Sequence, residues 1–434
     1  MTYASGQAAG SPAGRLAFLP APTLPLVYFA GSHLSLAVAA GAVALSPDLP
    51  GAFHYHPRSI ALIHLVTLGW ISGSILGAFY IVAPLALGMA FRAGRIDALA
   101  CVLFWMSAAG MIGGFWTGRY DLVAAAAFGV LAPLAFVGAR ALAGFSRARI
   151  PGGVKLHVGL AFANVVAAGA LGIWFAFNRV SAGLPWSPLA LAVAHGHLAA
   201  LGWATMMIFG VAYRLIPMFV PAAMPSSRLG VSAVLLEAGT LGLTWSIATG
   251  RSTLVWLPAV FGAFAAFFVQ VRRIVQERHP RPVDLPPRDW STWQTHTALL
   301  YVLVAAALGL WLALGGPDVL AWAYGVAGLL GFVGQMIAGI AGRLLPMHAW
   351  YRAMAALDGA PPPVSAHRLI EPRLALAVFV LWSIALPMLI AGLSGAGPAL
   401  IAAGGIALAA GTLANAWHGA LIVVRAGRGA RAGT

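Results

Sequence analysis

Long apolar runs, unbroken by polar residues at any regular spacing, set the pattern of this chain. A transmembrane helix needs ~20 predominantly apolar residues, whereas a membrane β-strand alternates apolar and polar positions over ~10. By that measure the first half of the sequence predicts helices over residues 24–46, 59–88, 97–117, 121–143, 154–178 and 188–217. The second half predicts helices over 229–249, 253–273, 293–314, 319–346, 372–394 and 397–424. The expected fold is an all-α polytopic membrane protein of about 12 transmembrane helices, with the lipid bilayer as its main partner.

Composition agrees with that class. Only 8% of residues are charged and 61% are hydrophobic, and mean hydropathy is +0.89. A soluble domain carries roughly 25% charged residues, so this chain has too few to coat a water-soluble globule. The net charge of +15 does not point to nucleic acid, because Arg and Lys sit between the apolar runs, alternately dense and sparse. The even-numbered connections hold Arg92, Arg95, Arg140, Arg147, Arg149, Lys155, Arg228, Arg272, Arg273, Arg278, Arg281, Arg288, Arg352, Arg368 and Arg373. The odd-numbered ones hold only Arg58, Arg119, Arg179 and Arg251, while Arg425, Arg428 and Arg431 follow the last run. Cytoplasmic loops carry the positive excess, which predicts a cytoplasmic (inner) membrane protein with both termini in the cytoplasm. Residues 1–23 show no signal-peptide pattern. The one cysteine, Cys101, lies inside an apolar run, which excludes internal disulfides, cysteine-ligated iron–sulfur clusters and covalent c-type haem attachment.

An internal repeat divides the chain. His64-Leu65-x-x-Leu68-Gly69-Trp70, continuing to Gly77, Tyr80 and Pro84, recurs 133 residues later as His197-Leu198-x-x-Leu201-Gly202-Trp203, continuing to Gly210, Tyr213 and Pro217. A weaker third copy reads Leu330-Gly331-Phe332, then Gly339 and Arg343-Leu344-x-Pro346-Met347, at an offset of 129 from the second. The repeat implies three pseudo-repeated four-helix units at 24–150, 151–285 and 286–424, flanked by a flexible cytoplasmic N-terminus (1–23) and a basic cytoplasmic tail (425–434). The prolines read as kinks or helix ends, and Arg214 and Arg343 as side chains reaching the cytoplasmic headgroups.

Histidine is the candidate for chemistry. Glu237 is the only acid well inside a predicted span, which disfavours proton-coupled transport, but there are twelve histidines. Imidazole is the commonest metal ligand and the usual axial ligand of b-type haem. His64, His195 and His197 fall at one depth near the outer ends of the second and sixth helices, with His54 and His56 in the adjoining outer loop. His64 and His197 occupy matched positions with Gly and Trp within two turns. Gly would leave room for a flat macrocycle, and Trp could pack on it or bond a propionate. His195 and His197 are two residues apart, about 200° around a helix, so they do not share one ligand plane. His33, His157 and His296 recur on the first helix of each unit and read as helix-packing partners or secondary ligands. Arg58 and Arg119 read as propionate partners or as ordinary interfacial side chains. His54, His56 and His195 would form a three-imidazole copper site if the loop folds back over the second helix. The methionines, among them Met206, Met207 and Met336, read as core or lipid-facing.

Twelve spans, cytoplasmic termini, three four-helix units and outer histidines on helices 2 and 6 resemble the haem–copper oxidase subunit I superfamily over nearly the whole chain, from about residue 24 to 424. The pattern is closer to its NnrS-like outliers than to a respiratory oxidase. The residues four after His195 and His197 are Ala199 and Leu201 rather than Tyr, helix 7 starts Ser226-Ser227-Arg228 rather than with paired histidines, and Val326 stands at the helix-10 position matching His64. The resemblance implies haem b with His64 as an axial ligand, His195 or His197 as a haem or metal ligand, and copper as a further candidate. It implies redox, nitric oxide or oxygen-related chemistry near the outer face, with a quinol or cytochrome as redox partner, and no typical oxygen-reducing binuclear centre. The alternative from another class is a non-catalytic transporter or a metal- or haem-assembly protein on the same fold.

Overall fold

The computed structural model describes residues 19–51, 55–181, 187–225, 228–280 and 289–432; of the expected site residues His54 lies outside these, as does residue 1–18 of the expected N-terminal segment. Among the described residues, twelve helices are long and apolar enough to cross a membrane. They are α1 (Leu24–Leu45), α2 (Pro57–Leu85), α3 (Arg95–Thr117), α4 (Tyr120–Phe145), α5 (Gly152–Phe177) and α6 (Pro188–Phe219). The second half continues with α7 (Leu229–Ala248), α8 (Leu257–Gln276), α9 (Trp290–Ala313), α10 (Leu320–Ala356), α11 (Pro372–Ala396) and α12 (Pro398–Gly429). The described residues contain no strand.

Burial sorts the helices into a centre and a surround. The most apolar windows of α2, α6 and α10 are 78%, 67% and 67% buried, against 50% or less for the other nine, so these three form the middle of the bundle. Around them α3 packs on α4, α4 on α5, α7 on α8 and α11 on α12, and α12 lies along α1. Large apolar side chains such as Leu34, Leu300 and Trp417 remain exposed on the surrounding helices, as expected where lipid rather than water is the solvent.

Each central helix opens into a π-helical stretch at the same place in the repeat. The stretches span Leu65–Ser72, Leu198–Thr205 and Val326–Gly334. Their i→i−5 bonds run from the N–H of Gly73, Met206 and Gln335 to the carbonyls of Leu68, Leu201 and Leu330. The Ser72 and Thr205 hydroxyls donate to the carbonyls five residues back, Thr67 (2.8 Å) and Ala200 (2.9 Å). Such stretches are rare and concentrate at functional sites.

The repeated glycines hold helices together. A Cβ at Gly69 would collide with Ser35 of α1, and one at Gly202 or Gly331 would come within 2.8 Å of Asn164 of α5 or 2.5 Å of Tyr301 of α9. Two turns on, a Cβ at Gly77, Gly210 or Gly339 would lie 2.9 Å from Tyr28 Cβ, 2.6 Å from His157 Cβ or 2.9 Å from the Ser291 carbonyl. The expected macrocycle clearance at Gly69 and Gly202 is therefore taken up by side chains of α1 and α5. The tryptophans likewise point between helices: Trp203 Nε1 donates to Ser72 Oγ of α2 (3.1 Å), and Trp70 lies against Gly334 of α10 and Trp382 of α11.

Two boundaries differ from expectation. α10 does not end near Pro346 but runs on to Ala356, because Ala349 and Ala353 pack against Leu369, Ile422 and Ala426. Residues 425–432, expected as a separate tail, continue the last helix, where Arg425 pairs with Glu371 at 2.6 Å. Arg343 pairs with Asp289 at the start of α9, and Arg214 donates to the Ala86 carbonyl beyond α2, so both arginines tie helix ends together.

Asp97 at the start of α3 is 4% exposed and bonds Arg140 of α4, the Tyr80 hydroxyl of α2 (2.8 Å) and the Gly94 N–H (2.7 Å). Removing one member of a buried ion pair strands the other, at about 3–5 kcal/mol. With Arg140 partly exposed, Asp97→Ala should cost about 2–4 kcal/mol and lower the thermal midpoint of the purified protein, while Asp97→Asn should cost less. A midpoint unchanged by Asp97→Ala would show that this network does not hold α2, α3 and α4.

Candidate functional site

The site lies where α2 and α6 begin. The Nδ1–H of His64 donates to the Ile60 carbonyl (2.8 Å), and that of His197 donates to the Val193 carbonyl (2.8 Å), each one turn back on its own helix. The π stretches begin at the next residue in both cases. An imidazole tied through Nδ1 keeps its lone pair on Nε2, the form in which a histidine ligates iron or copper.

The two matched histidines then part company. His64 stacks on Phe115 of α3, with ring centroids 5.0 Å apart, and its Nε2 makes no hydrogen bond among the described residues. His197 turns toward α10, where its Nε2 accepts from the Tyr324 hydroxyl at 3.1 Å and the rings stack at 5.9 Å. Tyr324 escaped the sequence reading, which compared Val326 with His64 and His197. The available signal was the same offset of 129 applied to His195, which lands on Tyr324.

His195 faces the other way, toward α5. Its ring lies edge-on to Phe175 (6.0 Å) and 3.2 Å from the Cβ position of Gly172. Its Nδ1 is buried and has no hydrogen-bond partner among the described residues, while the Ala168 backbone of α5 lies within reach of the ring. The structure thus pairs His197 with Tyr324, while His64 stacks on Phe115 and His195 lies edge-on to Phe175. A buried ring nitrogen with no partner among the described residues and a second imidazole with a free Nε2 are donors of the type that iron and copper take.

The remaining expected residues are placed elsewhere or otherwise engaged. His56 caps α2, its Nδ1 accepting from the Arg58 N–H at 3.3 Å. The Arg58 guanidinium lies 5.5 Å from the centre of the Trp116 ring. Arg119 forms a solvent-exposed pair with Asp121 at 2.7 Å, so its carboxylate partner is supplied by the chain itself. Both guanidinium and carboxylate sit in the open, where such a pair contributes little.

His33, His157 and His296 are not equivalent. His157 is fully buried, donates to the Gly153 carbonyl (2.7 Å) and pairs with Ser232 Oγ (3.0 Å), which the Tyr213 hydroxyl also contacts. His33 donates to the Phe29 carbonyl (2.7 Å) and lies edge-on to Trp70, leaving Nε2 buried without a partner. His296 is exposed at the rim beside Trp293. Packing accounts for His157, but not for a ligand role shared by all three.

Among the described residues, no three His, Cys, Asp or Glu side chains stand close enough to hold a metal ion. His54, a third of the expected copper site, lies outside the described residues. No family model and no curated protein sequence matches this chain.

Proposed function

We propose that this is a haem-binding membrane protein whose haem is held by His64 and His195 between α2, α3, α5 and α6. Two observations support the reading: one imidazole has its tautomer fixed by Ile60 and its Nε2 free, and the other has a buried Nδ1 with no hydrogen-bond partner among the described residues. Haem so held would supply one-electron transfer, and would bind a small gas such as nitric oxide or oxygen where one of the two imidazoles gives way. The chain's own part is to fix the ligand orientations. The Ile60 carbonyl orients His64, Phe115 and Phe175 flank the rings, and the π stretches after His64 and His197 set where the histidines project. His197 is a second imidazole of the right tautomer, and Tyr324 would have to yield for it to ligate.

The matched π stretches and glycine contacts favour three four-helix units around α2, α6 and α10, the arrangement that the oxidase-like resemblance implies. The charge pattern supports an orientation with the His64 end at the outer face. Reporter fusions after residue 150 should read cytoplasmic and fusions after residue 317 external; the reverse pattern would overturn the orientation.

Haem and metal content of the purified protein test the reading. Protein from haem-replete cells should carry about one b-type haem per chain in a pyridine haemochrome assay. Haem-free protein would favour the transporter or assembly alternative. Copper measured alongside, in wild type and in a His54→Ala/His56→Ala double variant, decides the copper site: it requires copper in the first and its loss in the second.

A further inference from the structure

A second feature lies deeper in the bundle, away from the histidines. Where α2, α6 and α10 meet, they line a half-open cavity of about 50 Å³. Its walls come from matching turns of the three helices: Ser74, Met207 and Met336 at one level and Ile75, Ile208 and Ile337 at the next, spaced by the repeat offsets of 133 and 129. All six side chains are buried, none more than 8% exposed. The Ser74 hydroxyl has no hydrogen-bond partner.

Physical chemistry narrows what belongs in such a space. A cavity above ~10–15 Å³ has room for a water, but a buried water needs about 2–4 polar partners, and this lining offers one hydroxyl. An ion fares worse. No charged side chain lines the cavity, so an ion would lose its hydration with no opposite charge in return. Two thioethers would attract a soft cation such as Cu(I), yet they are neutral and leave its charge uncompensated. A dry apolar cavity does take up small neutral apolar molecules, because filling it restores dispersion contacts that its walls lack.

We propose that this cavity is a binding site for a small neutral molecule of the diatomic-gas class, seated between α2, α6 and α10. The proposal extends the gas-ligand reading above and rests on it for its biological meaning, but the site itself can be detected without haem. A gas that partitions into the bilayer would find a reservoir in the centre of the bundle. The single hydroxyl of Ser74 offers a weak donor to one end of a heteronuclear diatomic.

Xenon is the probe. A crystal of the full-length protein under xenon pressure should show an anomalous peak bounded by Ile75, Ile208 and Ile337. Ala78→Leu, which adds three carbons to the lining, should lose that peak, and Met207→Ala, which enlarges the space, should raise xenon occupancy at equal pressure. If Ala78→Leu does not fold, Met207→Ala still decides between higher and unchanged occupancy. No xenon in wild type, ordered water there instead, or equal occupancy in all three proteins would overturn the proposal. Xenon in a protein that carries no haem would leave the cavity site standing and remove only the haem reading; haem without xenon would do the reverse.

Discussion

His64→Ala should remove most of the haem from the purified protein, and what remains should show a shifted, weakened Soret band. The mutation takes away the one imidazole at this site whose tautomer is fixed and whose Nε2 has no competing partner. A vacated axial position changes iron spin state and lowers affinity. Loss even of groups that only orient a ligand typically costs about 10–100-fold, so removing the ligand should cost at least ~10-fold. His197→Ala is expected to do less, because Tyr324 already occupies that Nε2. The comparison is made on haem per chain, with the thermal midpoint of each variant as the folding control. Full haem retention in His64→Ala, or a larger loss in His197→Ala, would move the site to the His197–Tyr324 side.

Gly339→Leu should be the most destabilising of single substitutions on the central helices. A Cβ there would lie 2.5 Å from Thr295 Oγ1, 2.9 Å from the Ser291 carbonyl and 3.1 Å from the Thr295 nitrogen. Two of these three are backbone atoms of α9 and have no rotamer to move to. Overpacking a tight core typically costs about 1–3 kcal/mol, and here α9 itself must shift, so a loss of about 3 kcal/mol or more is expected. Gly41→Ala on α1 is the control: its Cβ meets nothing within 4 Å, and it should be neutral or stabilising by up to about 1 kcal/mol. Equal thermal midpoints for Gly339→Leu and Gly41→Ala would show that the repeated glycines do not set the helix spacing.

Those glycines show what was legible in the sequence and what was not. The twelve helices could be read because a bilayer demands a fixed apolar length, and the starts and ends of most fall within a few residues of expectation. Of the two exceptions, α12 runs on through the expected tail, and α10 extends past Pro346 because packing against α12 holds a segment that neither apolar length nor proline chemistry marks as helical. The Gly69–Gly77 spacing and its copies were visible as a repeat, but their purpose was not. Whether small residues make room for a cofactor or for the next helix depends on what lies opposite, and here Ser35, Asn164 and Tyr301 do.

The site was legible in the same partial way. The sequence singled out His64, His195 and His197, and the two-residue spacing of the last pair forecast that they would face apart, as they do toward α5 and α10. That His197 would meet Tyr324 needed the third dimension. Tyr324 could be found only by extending the repeat to His195 in a unit where the histidine itself has been replaced. Arg119 and His56, plausible by position, are committed to Asp121 and to the start of α2.

The low-temperature electron paramagnetic resonance spectrum of the oxidised protein tests the central claim, that His64 and His195 hold one haem, most directly. The account predicts a low-spin ferric signal in wild type, from two imidazoles on one iron, and its conversion to high spin in His195→Ala with the haem still detectable. A spectrum that is purely high-spin in wild type, or identical in wild type and His195→Ala, would contradict it.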